Sequence, residues 1–201
     1  MADPRELRKK RLENEYKELM RINGAVIRIE PLENAPYSKY GITYNIRTII
    51  SPSPTYRDTT VVTLTIPPSY PGPTGAPTII AENTPSPWHP NWWPDGRWCS
   101  AYYSSNYDSS ESLVNLVLRC ARVLQFDPVV TNTGSPANSA AIAFWDANAR
   151  NKRVIPCDTK PLPVPGAFES ITIVEKVKPK ITINQTQVDK PKITILPRND
   201  E

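Results

Sequence analysis

The chain reads as an α+β domain, and three observations predict it. Apolar residues at helical spacing open the sequence, four short segments of period two follow, and two helical stretches with capping signals come before residue 150. The opening helix is expected from about Pro4 to Ile22, because Leu12, Tyr16, Leu19 and Met20 fall at i, i+4, i+7 and i+8 while Lys and Glu fill the other faces. The period then becomes two. Ala25, Ile27 and Ile29 alternate with Val26 and Arg28; Ile42, Tyr44 and Ile46 with Thr43, Asn45 and Arg47; Val62, Leu64 and Ile66 with Thr63 and Thr65. A shorter run, Thr78 to Ala81, makes a fourth strand, and the short Pro- and Ser-rich links between the strands suit an antiparallel meander.

Residues 85 to 107 show no period but are dense in Trp, Pro, Asn, Asp and Gly, as in a long structured loop. Asp108 with Glu111 three residues on is a capping-box-like start for the next helix, whose apolar face is Leu113, Leu116, Val117, Cys120, Ala121 and Leu124. Ser135 followed by Pro136 marks the last helix, with Ala140, Ala141, Phe144 and Trp145 inside it.

Composition narrows the function. A chain of 201 residues with 39% hydrophobic content can bury one good core. The net charge of +4 is far from what an affinity built on many neutralised phosphates needs, so nucleic acid is not the expected partner. No apolar run approaches the roughly 20 residues that span a bilayer, and the charged start carries no signal region, so a soluble, cytoplasmic protein without a membrane partner is expected. The three cysteines, Cys99, Cys120 and Cys157, lack the paired spacing of a metal knuckle or a disulfide framework, which suits a reducing compartment and no metal.

Prolines number 23, against an average usage near 5%, and gather in the loops and after Val154. The domain is therefore expected over 1–155, with a Pro- and Lys-rich tail over 156–201. Ile-Thr-Ile occurs in that tail at Ile171–Ile173, Ile181–Ile183 and Ile193–Ile195, the last two inside a repeated Lys-Pro-Lys-Ile-Thr-Ile.

The long loop contains His89-Pro90-Asn91-Trp92-Trp93-Pro94-Asp95-Gly96-Arg97-Trp98-Cys99. This resembles the active-site stretch of ubiquitin-conjugating enzymes, where a His-Pro-Asn motif precedes the catalytic cysteine at this spacing. The likeness continues, in order, through Ser53-Pro54, Tyr56-Arg57-Asp58, Ile66-Pro67-Pro68-Ser69-Tyr70-Pro71, Asp127-Pro128 and Ser135-Pro136-Ala137-Asn138, covering roughly residues 5 to 150. It implies the UBC fold and a transferase that takes a ubiquitin-like modifier from an activating enzyme as a thioester on Cys99 and passes it to a lysine amine. It implies no bound cofactor, since ATP is used upstream by the activating enzyme, and it adds a ligase or lysine-bearing target as a partner.

Each role has a plainer counterpart. A thiol with an ordinary pKa of about 8.5 is both nucleophile and tolerable leaving group, which is what Cys99 must be. Asn91 is the amide donor that the resemblance places at the developing oxyanion, and Asn also commonly caps a turn through its side chain. His89, the only histidine, is a structural hydrogen-bonder in the family, with Pro90 beside it; a Cys–His pair would instead mean a thiol hydrolase acting on modifier conjugates. Ser135 stands where the family carries Asp or Ser at the mouth of the cysteine pocket, and as a helix cap it needs no further role. Trp88, Trp92, Trp93 and Trp98 serve packing or a partner. Arg8, Lys9, Lys10 and Arg11 resemble the face that meets the activating enzyme, and they are also what any solvated helix carries. The Ile-Thr-Ile segments can hold the modifier by strand addition, pair with the domain's own sheet, or act as spacers.

The sequence departs from the family at Gly72 after Tyr70-Pro71, at Ser109-Ser110-Glu111, at Ser100-Ala101 after the cysteine, and in the Pro-rich replacement of the last helices. These departures suit a divergent member, of the kind expected in compact prokaryotic or archaeal conjugation systems. A cysteine-less binding module on the same fold is the further rival, and Cys99 in register argues against it.

Overall fold

The computed structural model describes residues 3–100, 107–149 and 154–165. Helix α1 spans Pro4–Arg21; Asp3 caps it by accepting the Arg5 N–H at 2.9 Å, and Pro4 takes the first-turn position where a missing N–H costs nothing. Its inner stripe is Leu12, Glu15 and Leu19.

Six strands follow in chain order: β1 (Ile27–Pro31), β2 (Lys39–Tyr44), β3 (Thr48–Ile49), β4 (Tyr56–Arg57), β5 (Thr60–Thr65) and β6 (Thr78–Ala81). Four of them form the expected antiparallel sheet in the order β1-β2-β5-β6, while β3 and β4 make a separate small hairpin between β2 and β5. The register places Ile29 opposite Ile42, Ile42 opposite Val62 and Leu64 opposite Ile79. Alternate residues of β1, β2 and β5 are consequently buried on one face, which packs with α1 and α2 (Leu113–Leu124) in one core.

Both edges of the sheet are occupied. Along β1 the Gly24 N–H donates to Ile27 O at 2.8 Å, the Ile29 N–H donates to Asn23 Oδ1 at 2.9 Å, and Pro31 has no N–H to offer. Along β6 the loop that leads to Cys99 supplies the partners: Trp98 N–H donates to Ile79 O at 2.9 Å and Ala81 N–H to Gly96 O at 2.7 Å.

The helices after the long loop begin later than their sequence signals. Asp108 Oδ1 is taken by Ser110 in a tight turn, so α2 starts at Leu113 under a Ser112 cap. Ser135 caps nothing: α3 is Ser139–Asn148, capped by Asn138, because the Ala137 and Asn138 N–H groups are already donated to Pro90 O.

Residues 156–165, expected to begin the tail, pack on the domain together with Val154 and Ile155. Cys157 N–H donates to Gln125 O at 2.9 Å, Arg47 N–H to Asp158 Oδ2 at 2.7 Å, and Gln125 Nε2 to Lys160 O at 2.7 Å. Ile155 joins Ile49, Phe126 and Trp145 in a second small core. The described residues belong to one compact unit whose bound lies at residue 167, and the Ile-Thr-Ile segments lie outside the described residues. Among the described residues no helix is long and apolar enough to cross a membrane.

Candidate active site

The loop that carries Cys99 is a hairpin laid along β6. Gly96 N–H donates to Trp93 O at 3.0 Å and Trp93 N–H to Arg97 O at 2.8 Å, closing a turn with Pro94 in second position. Gly96 has φ +93°, and a Cβ there would stand 3.0 Å from Ala81 O, so both backbone conformation and space require glycine. Trp92 is fully buried and its indole N–H reaches Gly96 O at 2.9 Å; Trp98 is buried beside β6. Arg97 lies over the Trp93 ring at 5.0 Å and pairs with Asp95 at 2.8 Å. These tryptophans build the loop.

Asn91 joins three segments. Its carbonyl accepts the Cys99 N–H at 2.9 Å. Its side chain clasps Asn132 by both ends, Oδ1 accepting the Asn132 N–H at 2.8 Å and Nδ2 donating to Asn132 O at 2.6 Å. With Pro90 O accepting from Ala137 at 2.7 Å and Asn138 at 3.1 Å, residues 132–138 are tied down at both ends, leaving Ser135 exposed at the tip. Cys99 and the Ser135 loop are therefore both anchored on Pro90-Asn91. Cys99 itself is half-buried.

His89 is fully buried, edge-on to Phe126 at 4.5 Å, and its Nδ1 accepts the Asn91 N–H at 2.9 Å. Its Nε2 lies 3.4 Å from the Thr131 hydroxyl. Burial disfavours the imidazolium and lowers its pKa to about 3. A neutral imidazole with Nδ1 committed to the backbone shapes the loop and is poorly placed to activate a thiol. Desolvation pushes the other two thiols, Cys120 and Cys157, up to about 12; Cys120 is wholly buried and Cys157 donates to Arg47 O at 3.0 Å.

The basic residues of α1 divide. Arg8 reaches back to Pro67 O at 3.3 Å, and Arg11 pairs with Glu15 at 2.7 Å and donates to Glu111 O at 3.1 Å. Lys9 and Lys10 are exposed. Among the described residues no three His, Cys, Asp or Glu side chains gather as a metal ion would require.

Sequence reasoning missed Asn132, Thr131 and Phe126. Asn132 carries only the weak signal of a polar residue two before Gly134, and Phe126 only its place before Asp127-Pro128 at a helix end. No protein-family model matches the chain, and no curated protein matches it in sequence.

Proposed function

We propose that this chain is a ubiquitin-conjugating enzyme on the UBC fold, carrying a ubiquitin-like modifier on Cys99. The observation that carries the reading is the His89-Pro90-Asn91…Cys99 order together with the Asn91 O to Cys99 N–H bond, which ties the motif to the backbone of the cysteine. In the first step the Cys99 thiolate attacks the thioester carbonyl held by the activating enzyme; a new C–S bond forms and that enzyme's thiolate leaves. In the second step a lysine amine attacks the Cys99 thioester, negative charge builds on oxygen, and collapse forms the amide, expels the Cys99 thiolate and releases a proton to solvent.

One Nδ2 hydrogen of Asn91 is committed to Asn132 O, so in this reading Asn91 acts first as the clasp of the site, and its second hydrogen is the one available to the oxyanion. Exposed Lys9 and Lys10 are the α1 residues suited to meeting an acidic activating enzyme. Ser135 contributes through its place at the tip of the clasped loop, and the tail's Ile171, Ile181 and Ile193 segments are candidates for retaining the modifier.

The buried, backbone-bonded His89 weighs against the thiol-hydrolase reading, which needs a histidine free to take the thiol's proton. Incubation with the cognate activating enzyme, modifier and ATP, followed by a non-reducing gel, tests the proposal. A reducible adduct that becomes reduction-resistant in Cys99→Ser is expected; no adduct, with cleavage of preformed conjugates, would replace it with the hydrolase.

A further inference from the structure

We propose that Phe126 is a positioning residue for the site, holding the Asn91 clasp closed from the end of α2. Phe126 ends α2 in the left-handed conformation, φ +60°, among the described residues the only non-glycine there. Two bonds define the termination: Phe126 N–H to Val123 O at 2.9 Å and Asp127 N–H to Arg122 O at 3.0 Å, the pattern that usually places glycine where Phe126 stands. A phenylalanine is disfavoured there by its Cβ, so the contacts of its ring must hold the conformation. That ring is fully buried against His89, edge-on at 4.5 Å, and Trp145, stacked at 6.2 Å, and those two rings meet each other at 6.1 Å.

The left-handed turn aims the next residues at the site. Thr131 donates back to Asp127 O at 2.8 Å and lies against His89 Nε2, and Asn132 follows directly into the Asn91 side chain. Phe126 thus acts from two directions: its backbone delivers residues 127–132, and its ring fixes the histidine whose Nδ1 holds the Asn91 N–H. Asn91 in turn holds Cys99.

The inference rests on the proposed function only in taking Cys99 as the reactive thiol, and its test uses no modifier. In Phe126→Gly the backbone conformation becomes easy and the ring is lost. Solvent exchange of the Asn91 Nδ2 protons, measured by NMR, is expected to quicken at least tenfold while the Val62 amide in β5 keeps its protection, and alkylation of Cys99 by iodoacetamide should change at least threefold. Unchanged Asn91 exchange, or an equal rise at Asn91 and Val62, would overturn the proposal by making Phe126 inert or a contributor to global stability alone. Faster Asn91 exchange with an unchanged Cys99 rate would overturn the link to the thiol. Should Phe126→Gly fail to fold, Phe126→Leu, which keeps bulk without the edge-on ring contact, is read by the same criteria. A chain that passes and yet accepts no modifier would remove the proposed function and leave the positioning role standing.

Discussion

Glu15 Oε2 accepts the backbone N–H of Leu113 at 2.8 Å, so a buried carboxylate of α1 meets the first turn of α2, where unpaired N–H groups and the helix dipole favour negative charge. Its other oxygen takes Arg11 at 2.7 Å and the Tyr70 hydroxyl at 2.8 Å. Three segments far apart in sequence depend on this carboxylate. Glu15→Ala should lower stability by about 3 kcal/mol, and Glu15→Gln, which keeps an acceptor oxygen, by less. Urea midpoints check both; equal losses would mean that the negative charge, absent from both variants, outweighs the acceptor oxygen and the bulk that Gln keeps.

His89 gives a pH dependence with a definite sign. Its folded pKa, about 3, lies below the ordinary value of 6.5, so the folded state binds fewer protons between those limits. The stability from keeping it neutral is present above pH 6.5 and lost as pH falls, at up to about 1.4 kcal/mol per pH unit. The difference between the wild type and His89→Gln in urea unfolding should shrink from pH 7 to pH 4.5; a constant difference would refute the assignment.

The three thiols should react in a fixed order. Cys120 and Cys157, both raised to about 12, hold roughly one part in ten thousand as thiolate at pH 8. Iodoacetamide followed by peptide mass spectrometry should label Cys99 at least tenfold faster than either. Prior labelling of Cys157 would show that its segment opens readily.

Asn91→Ala removes the clasp and leaves the Asn132 N–H and C=O without their partner. Charging of Cys99 should persist while discharge to free lysine slows by about a hundredfold. Asn91→Asp should also be slow, because a carboxylate cannot donate to Asn132 O. Single-turnover discharge measures both; equal loss of charging and discharge would indicate collapse of the loop.

Two truncations separate the tail from the fold. Ending the chain after Pro165 should leave stability within about 0.5 kcal/mol of the full chain, keep charging and diminish any retention of the modifier by the Ile-Thr-Ile segments. Ending it after Pro156 removes Cys157, Asp158 and Lys160 from Gln125, Arg47 and Asn45, and should cost about 2 kcal/mol or more. Thermal melts of the two proteins decide.

The strands were legible because each buries one face, which leaves a period-two record: Ile27 and Ile29, Tyr40 to Tyr44, Val62 and Leu64. Helix starts were less so, since a capping residue is recognised by type while its partner is set by the fold. Asp108 is as good a cap as Ser112 until Ser110 takes its oxygen, and Ser135 as good as Asn138 until Pro90 takes the next two N–H groups. The hairpin of β3 and β4 is too short to carry a period, and residues 156–165 read as tail because they are held by single bonds to distant backbone atoms. At the site, the residues of the 89–99 loop announce themselves by motif, whereas Asn132 and Phe126 act through backbone groups and a ring that no local pattern marks.

The occupied edges of the sheet bear on how the protein behaves at high concentration. Three Ile-Thr-Ile segments give the sequence stretches of high strand propensity, and a bare sheet edge would be a template for such stretches. Asn23, Gly24 and Pro31 on one side and the Cys99 hairpin on the other blunt that template. The second guard is also the loop that holds the thiol, so loosening the Cys99 hairpin, by Gly96→Ala for instance, would uncover β6 and trade a reactivity defect for a tendency to form fibres.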